Sequence, residues 1–153
     1  MICVLPCVMM VRDIVLVIAG EPYGDMTNYH DAIQRLGLNH RIVDHIRYIA
    51  DQEVPRFFSA ADVVVLPYRS ATQSGITAIA QHFATPIIAT DVGGLKELVA
   101  DGRTGIIVPT ADPVAIAAGV ERFYTMGPGA FAEGLARLRE ELSWERFAQR
   151  LVE

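Results

Sequence analysis

The stretch that decides the fold is "DVVVLPYRSATQSGITAIAQHFATPIIATDV", residues 62–92. Its first seven residues are Asp62 and an apolar run that ends at a turn-forming segment, which predicts a strand buried on both faces. A helix is predicted to begin near Gly75, because the apolar positions that follow have i, i+3, i+4, i+7 spacing: Ile76, Ile79, Ala80 and Phe83. "PIIATDV" predicts the next strand. Residues 62–92 therefore predict one strand–helix–strand unit of a parallel sheet.

The same alternation extends to both sides of this unit. Further strands are predicted at 14–20, 41–46 and 105–109, with helical patterns at 28–38, 51–61, 94–100 and from Asp112-Pro113 onward. After "GPG" a helical tail is predicted over 130–153, with its last helix beginning at Ser143-Trp144. We expect an α/β fold: a single domain over 1–153 with a Rossmann-like, doubly wound parallel sheet and C-terminal helices. Residues 1–13 are given no role.

Composition and charge limit the class of protein. The chain has 153 residues, 52% of them hydrophobic, and a net charge of −5, which predicts a soluble globular domain without a nucleic-acid partner. Cys3 and Cys7 make neither a disulfide framework nor a zinc site, which favours a reducing, cytoplasmic setting. The four histidines lack metal-ligand spacing, so no metal site is expected. Residues 2–11 form an apolar run that is too short for an integral membrane segment. Because an exposed apolar run can mediate self-association, a homodimer stays open as an alternative.

The junction before the predicted helix has the chemistry of an anion site. Ser74 is the predicted N-cap, and the first-turn amides of Gly75, Ile76 and Thr77 would lack intrahelical partners, so that phosphate is a natural ligand. Gly75 lacks a Cβ, which lets an oxyanion approach the backbone, and the Ser74 and Thr77 hydroxyls could add hydrogen bonds. Arg69 could contact the same phosphate. A well-made helix start that binds nothing stays open as the alternative.

A second junction, "TDVGGLKE", supports the first. Residues 90–97 again pass from an apolar strand through Gly93 and Gly94 into a helix. Loops that follow neighbouring parallel strands open onto the same edge of a sheet. Two such loops favour a nucleotide ligand, although tight-turn chemistry alone would also explain the glycines.

These residues resemble a known family. "AADVVVLPY" and "QSGITAIAQHFATPIIATDVGGLKELVADGRTGIIVPTADPVAIAAGV" resemble the donor-binding C-terminal half of the retaining GT-B glycosyltransferases of the group 1, or family 4, type. The resemblance covers about residues 14–118, and "ELSWERFAQRL" is similar to the segment that closes such enzymes. It implies a hexosyltransferase of glycan assembly such as polysaccharide biosynthesis. The substrate would be a UDP- or GDP-linked sugar, with no metal and no other cofactor.

The resemblance also assigns site residues. It places the donor diphosphate on the amides of Ser74, Gly75 and Ile76. The nucleotide base would lie near the loop of Arg47, Tyr48 and Ile49, and the rim of the donor site would include Gly93, Gly94 and Glu97.

The sequence departs from the family pattern at the sugar contact. Most members carry two glutamates eight positions apart, and those positions are Ala71 and Ile79 in this chain. Thr72, Gln73 or Ser74 could hydrogen-bond the sugar instead, and no catalytic residue is assigned.

A second departure is length. A whole GT-B enzyme has a further domain that binds the acceptor, which can be a glycan, a lipid or a small molecule, and a preceding strand whose Arg and Lys grip the diphosphate. We expect this chain to be the donor half of such an enzyme, with weak binding and little turnover by itself. The full-length protein is expected in the cytoplasm, with a peripheral position at the inner membrane left open. The alternatives are a non-catalytic nucleotide-binding or scaffold module of the same fold and a GT-B nucleotide-sugar epimerase.

Overall fold

The computed structural model describes residues 13–22, 24–72 and 74–152. The expectations for Cys3, Cys7 and Gln73 therefore lie outside the described residues. The five strands within the described part are β1 (Leu16–Ala19), β2 (Ile42–His45), β3 (Val64–Leu66), β4 (Ile87–Thr90) and β5 (Gly105–Val108). The helices are α1 (Thr27–Arg35), α2 (Val54–Ala60), α3 (Gly75–His82), α4 (Leu95–Leu98), α5 (Pro113–Met126), α6 (Ala132–Glu141) and α7 (Trp144–Val152), with short 3₁₀ turns at Asn39–Arg41 and Pro128–Phe131.

All strand pairs are parallel, as the alternation of elements predicts. β1 pairs with β2, Leu16 opposite Ile42, and the other sheet has the order β3-β4-β5. No hydrogen-bonded ladder joins β1 to β3 among the described residues, so the strands form two hydrogen-bonded groups, β1-β2 and β3-β4-β5. Ile14 packs against the apolar clusters of both groups. The α/β, Rossmann-like class is confirmed.

The core is centred on β4, all four residues of which are buried. On one side α5 covers the sheet with Ile116, Val120 and Phe123. Phe123 and Phe131 are fully buried and stacked, with ring centroids 5.3 Å apart. Phe131 precedes α6, so this stack holds the helical tail against the sheet. Ala80 of α3 belongs to the apolar cluster of Leu66, Ile87 and Ala89, which fixes α3 beside the ends of β3 and β4.

Several helix ends follow the predicted chemistry. The Asp112 carboxylate accepts hydrogen bonds from the amides of Val114 and Ala115, both at 3.0 Å, and Pro113 is the first residue of α5. Gly37 has φ +66°, the left-handed conformation expected just after α1. The last helix begins at Trp144, as predicted. No helix of the described residues combines the length and apolar character needed to cross a membrane.

Candidate functional site

The loops after β3 and β4 are tied together at the carboxyl edge of the sheet. Thr90, fully buried at the end of β4, donates its hydroxyl hydrogen to the carbonyl oxygen of Tyr68 at 2.6 Å. The amide of Asp91 donates to the carbonyl oxygen of Val108 at 2.8 Å, which continues the ladder past the strand. The residues that follow β3 and β4 are thereby held on one edge.

The glycine loop after β4 touches the loop after β3. Gly93 has φ +53°, and a Cβ on it would lie 1.6 Å from the carbonyl oxygen of Ala71. A Cβ on Gly94 would lie 3.0 Å from the carbonyl oxygen of Thr72. The prediction that the two loops share one rim is confirmed. Only glycine fits at position 93, because both the positive φ and the close approach exclude a side chain.

Helix α3 begins at Gly75, directly behind this rim. Ser74 has extended dihedral angles (φ −141°, ψ 118°) and occupies the N-cap position, but its hydroxyl makes no capping bond. That hydroxyl lies 3.3 Å from the hydroxyl of Tyr68 instead. Within the described part of the chain, the amides of Gly75 and Ile76 have no hydrogen-bond acceptor. Among the described residues, two backbone donors at the positive end of a helix are therefore without an acceptor.

Thr77 differs from its prediction. Its amide donates to the carbonyl oxygen of Ser74 at 3.2 Å, and its hydroxyl donates to the same oxygen at 2.5 Å. The expectation of an amide without an intrahelical partner is thus wrong for this residue. The first turn closes with an i to i+3 bond, and burial to 2% exposure requires the hydroxyl to find a partner nearby. A ligand at this helix end would use the donors of Gly75 and Ile76.

Two open grooves flank α3. The first, called the junction groove here, has a volume of about 560 Å³ and is lined by Tyr68, Ala71, Thr72 and the first turn of the helix. The second, the α2–α3 groove, has a volume of about 390 Å³. It is lined chiefly by Asp51, Val54, Pro55, Ile79, His82 and Phe83. Ile79 lines both grooves, so they adjoin along α3.

An open space lies in front of Gly75. A Cβ added to this residue would meet no atom within 4 Å, and its φ is not in the left-handed region. The fold therefore does not require glycine at this position, in contrast to Gly93. Ala71 and Ile79, where the family resemblance places glutamates, both line the junction groove and offer no side-chain hydrogen-bond acceptor there.

The remaining predicted residues lie at different distances from this centre. Thr72 lines the junction groove, whereas Arg69 is exposed beside it and has no partner among the described residues. Glu97 is an exposed residue of α4, and its amide donates to the carbonyl oxygen of Gly94 at 3.2 Å. It lines neither groove. The assignments of Arg69 and Glu97 stay predictions.

The predicted base-proximal loop is held by an ion pair between Arg47 and Glu53, which the sequence does not predict. The Arg47 guanidinium donates to both carboxylate oxygens of Glu53, at 2.8 and 2.6 Å, and to the carbonyl oxygen of Tyr48 at 2.8 Å. This bond to Arg47 is the main reason that the pKa of Glu53 falls to about 2. The pair thus ties the start of the loop to the residue before α2, while the Tyr48 side chain is 65% exposed. An Arg and a Glu that flank a short loop are the only sequence signal for this pair.

No cluster of His, Cys, Asp or Glu that could hold a metal ion occurs among the described residues. The chemistry available at the edge of the sheet is that of backbone amides, hydroxyls and an apolar groove wall. Such an arrangement can bind an anion joined to a larger, partly apolar group.

Parallel strands, covering helices and a groove at the carboxyl edge define a Rossmann-like ligand-binding domain. The chain belongs to the family described as Glycosyl transferases group 1, whose model matches residues 3–126. The resemblance to the GT-B glycosyltransferases is thereby confirmed.

Curated relatives agree with this membership. A D-inositol 3-phosphate glycosyltransferase of Streptomyces avermitilis is 32% identical over 142 residues, which cover 89% of this chain and 30% of that protein. A glycosyltransferase of Methanocaldococcus jannaschii without an assigned activity is 33% identical over 144 residues, which cover 90% of this chain and 35% of that protein. The chain thus spans about a third of the length of the curated relatives it matches.

Solved structures share the fold. Sucrose-phosphate synthase from Thermosynechococcus elongatus superimposes with a TM-score of 0.76 at 25% identity, over 98% of this chain and 40% of that one. Anabaena HepE in complex with UDP gives a TM-score of 0.80 at 18% identity, over 97% of this chain and 43% of that one.

Proposed function

We propose that this chain is the donor-binding part of a glycosyltransferase that takes a sugar from a UDP- or GDP-linked donor. The acceptor would be a glycan, a lipid or a small molecule, and the anomeric configuration would be retained. One observation carries the proposal: at the start of α3 the amides of Gly75 and Ile76 have no acceptor among the described residues, and a Cβ added to Gly75 would meet no atom within 4 Å.

The geometry suggests how such a site would act. When the bond between the sugar and the diphosphate breaks, negative charge grows on the departing phosphate oxygens. Two fixed amide donors and the positive end of α3 would stabilise that charge without reorganisation. The sugar would then lie toward the rim formed by the loops of Ala71 and Gly93, which are in contact. No protein nucleophile and no metal ion are needed for this role.

Two comparisons support the choice of ligand. Anabaena HepE, which shares the fold, is described in complex with UDP and with UDP-glucose. The family of this chain is one of glycosyl transferases. Because the chain spans about a third of its relatives, we place acceptor binding elsewhere in the full-length protein and expect donor binding without turnover from these residues alone.

A second candidate is a binding or scaffold module without catalysis. Ala71 and Ile79 favour it, because apolar side chains line the junction groove where a donor sugar would need hydrogen-bond acceptors. A panel of nucleotide sugars tested with the full-length protein separates the two. Transfer of a sugar supports the enzyme, and nucleotide binding without transfer or donor hydrolysis supports the module.

Binding is tested by thermal unfolding of the 153-residue chain with UDP, GDP or pyrophosphate. A ligand at ten times its Kd should add about 1.4 kcal/mol of stability, or roughly 3–6 °C in the unfolding midpoint. Gly75→Val should remove this shift, because its side chain fills the space in front of the helix. Gly129→Val is the matched control, since a Cβ at Gly129 also meets nothing within 4 Å. The proposal fails if no ligand shifts the midpoint at millimolar concentration, or if Gly75→Val responds like the unaltered chain.

A further inference from the structure

The wall of the junction groove offers hydrogen-bond donors but no negative charge. The described residues that line it include no Asp or Glu, and four of them have a hydroxyl group: Tyr68, Ser70, Thr72 and Ser74. The Tyr68 and Ser74 hydroxyls lie 3.3 Å apart, and either can donate to the other. Ser70 and Thr72 are exposed, and their hydroxyls make no hydrogen bond to any residue that the structure describes. Two of the four hydroxyls thus have no partner in the described part of the chain.

The charged residues of the two loops at this edge favour an anion in the groove. Arg69 belongs to the loop that forms the wall, is exposed and has no partner among the described residues. On the neighbouring loop, the Asp91 carboxylate lies 3.4 Å from the ammonium group of Lys96, so an ion pair offsets its charge. Glu97 is exposed on α4 and does not line the groove. The carboxylates nearby are thus paired or off the groove wall, whereas the loop of the wall itself carries a cation.

Ala71 gives this groove a selectivity that a carboxylate at the same position would reverse. A glutamate on the wall would accept hydrogen bonds from the hydroxyls of a neutral sugar and would repel a sugar that is itself negatively charged. Ala71 lines the groove and does neither. The change that deprives a neutral sugar of an acceptor therefore admits an anionic one.

We infer that the sugar of the donor is a uronic acid and that its carboxylate lies in the junction groove. The inference rests on the proposed function and adds the class of sugar. The carboxylate would accept hydrogen bonds from hydroxyls of the wall and from the Arg69 guanidinium, and such charge-assisted bonds are stronger than neutral ones. The diphosphate would keep the amides of Gly75 and Ile76, so the two anionic groups of the donor would use different donors of the protein.

The test is calorimetric titration of the 153-residue chain with UDP-glucuronate, UDP-glucose and UDP-xylose, which differ only in the group on C5 of the sugar: a carboxylate, a hydroxymethyl group or hydrogen. If GDP binds more tightly than UDP, GDP-mannuronate and GDP-mannose replace the first two. UDP-glucuronate should bind about tenfold more tightly than either neutral donor, because only its sugar forms charge-assisted hydrogen bonds. The preference should shrink as salt is added.

Variants locate the preference in the groove. Ala71→Glu should remove the preference for UDP-glucuronate over UDP-glucose, and the ratio isolates the sugar because both donors have the same diphosphate. Thr72→Glu, at an exposed position on the same wall, should act alike and serves if Ala71→Glu does not fold. Ala118→Glu, an exposed change on α5 that lines neither groove, is the matched control and should leave the ratio unchanged. Arg69→Gln should reduce the preference without reversing it.

The outcomes separate the two proposals. If UDP binds, Gly75→Val abolishes binding and UDP-glucose binds as tightly as UDP-glucuronate, the uronic acid is refuted and the donor site stands. Tightest binding of UDP-xylose also refutes it, because the apolar wall would then select a sugar without a group on C5. A preference for UDP-glucuronate that survives both glutamate variants would show that its carboxylate lies outside the junction groove. If neither nucleotide nor pyrophosphate binds the unaltered chain, both proposals fall.

Discussion

Replacing Gly93 with alanine would place a methyl group where the loops after β3 and β4 touch. At its φ of +53°, an L-residue costs roughly 1–2 kcal/mol more than glycine. The new Cβ would also lie 1.6 Å from the carbonyl oxygen of Ala71, so the backbone of one of the two loops would have to move. Forced shifts of this kind typically cost about 1–3 kcal/mol. We therefore expect Gly93→Ala to lower the free energy of unfolding by about 2–5 kcal/mol.

Gly37→Ala is the matched control for this variant. Gly37 has a similar φ of +66°, but a Cβ there would meet nothing within 4 Å, so only the conformational cost of roughly 1–2 kcal/mol applies. Urea unfolding of both variants at one temperature gives the difference, which isolates the contact between the loops. Equal losses for the two variants would refute the packing of the glycine loop against Ala71.

Three further perturbations test the frame of the site. Between pH 4.5 and 2, the free energy of unfolding of Glu53→Gln should fall less steeply with decreasing pH than that of the unaltered chain. The folded-state pKa of Glu53 is lowered to about 2, so the stability that its carboxylate contributes is present above its ordinary pKa of 4.5 and is lost toward pH 2. Identical pH profiles would contradict the bond to Arg47. Thr90→Val should lower the free energy of unfolding in urea by about 1–3 kcal/mol, because the carbonyl oxygen of Tyr68 loses its donor. A change below about 0.5 kcal/mol, as for an ordinary surface substitution, would show that this bond does not tie the loops. Phe131→Ala should cost about 3–5 kcal/mol through loss of the buried stack with Phe123, whereas Val114→Ala, at a 78% exposed position, should cost less than about 0.5 kcal/mol. Comparable losses for these two would refute the packing of the tail.

The sequence predicts the class of fold and most element positions, because local signals are strong. Asp112-Pro113, Gly37 and Ser143 mark helix ends that depend on caps and left-handed backbone, and the structure places those ends there. Strand lengths are less well predicted. Residues 63–68 form an apolar run after Asp62, yet β3 covers only Val64–Leu66, since its pairing with β4 begins near the bond from the Val64 amide to the Pro86 carbonyl oxygen.

The site is predicted only where it follows from the order of strands and helices, as for the helix start at Gly75 and the shared rim of the loops after β3 and β4. The internal bonds of Thr77 and the Arg47–Glu53 pair depend on where side chains find partners, which no pattern in the sequence specifies. The α2–α3 groove arises from the packing of two helices against each other, which no local pattern in the sequence specifies.

The central claim is that the start of α3 binds the diphosphate of a nucleotide sugar. Backbone amide chemical shifts of the ¹⁵N-labelled chain, followed during titration with UDP and separately with pyrophosphate, test it most directly. The amides of Gly75 and Ile76 should show the largest shifts with both ligands, because these donors have no acceptor among the described residues. Saturable binding that leaves the Gly75 and Ile76 amides unshifted, or no binding of either ligand, would contradict the claim.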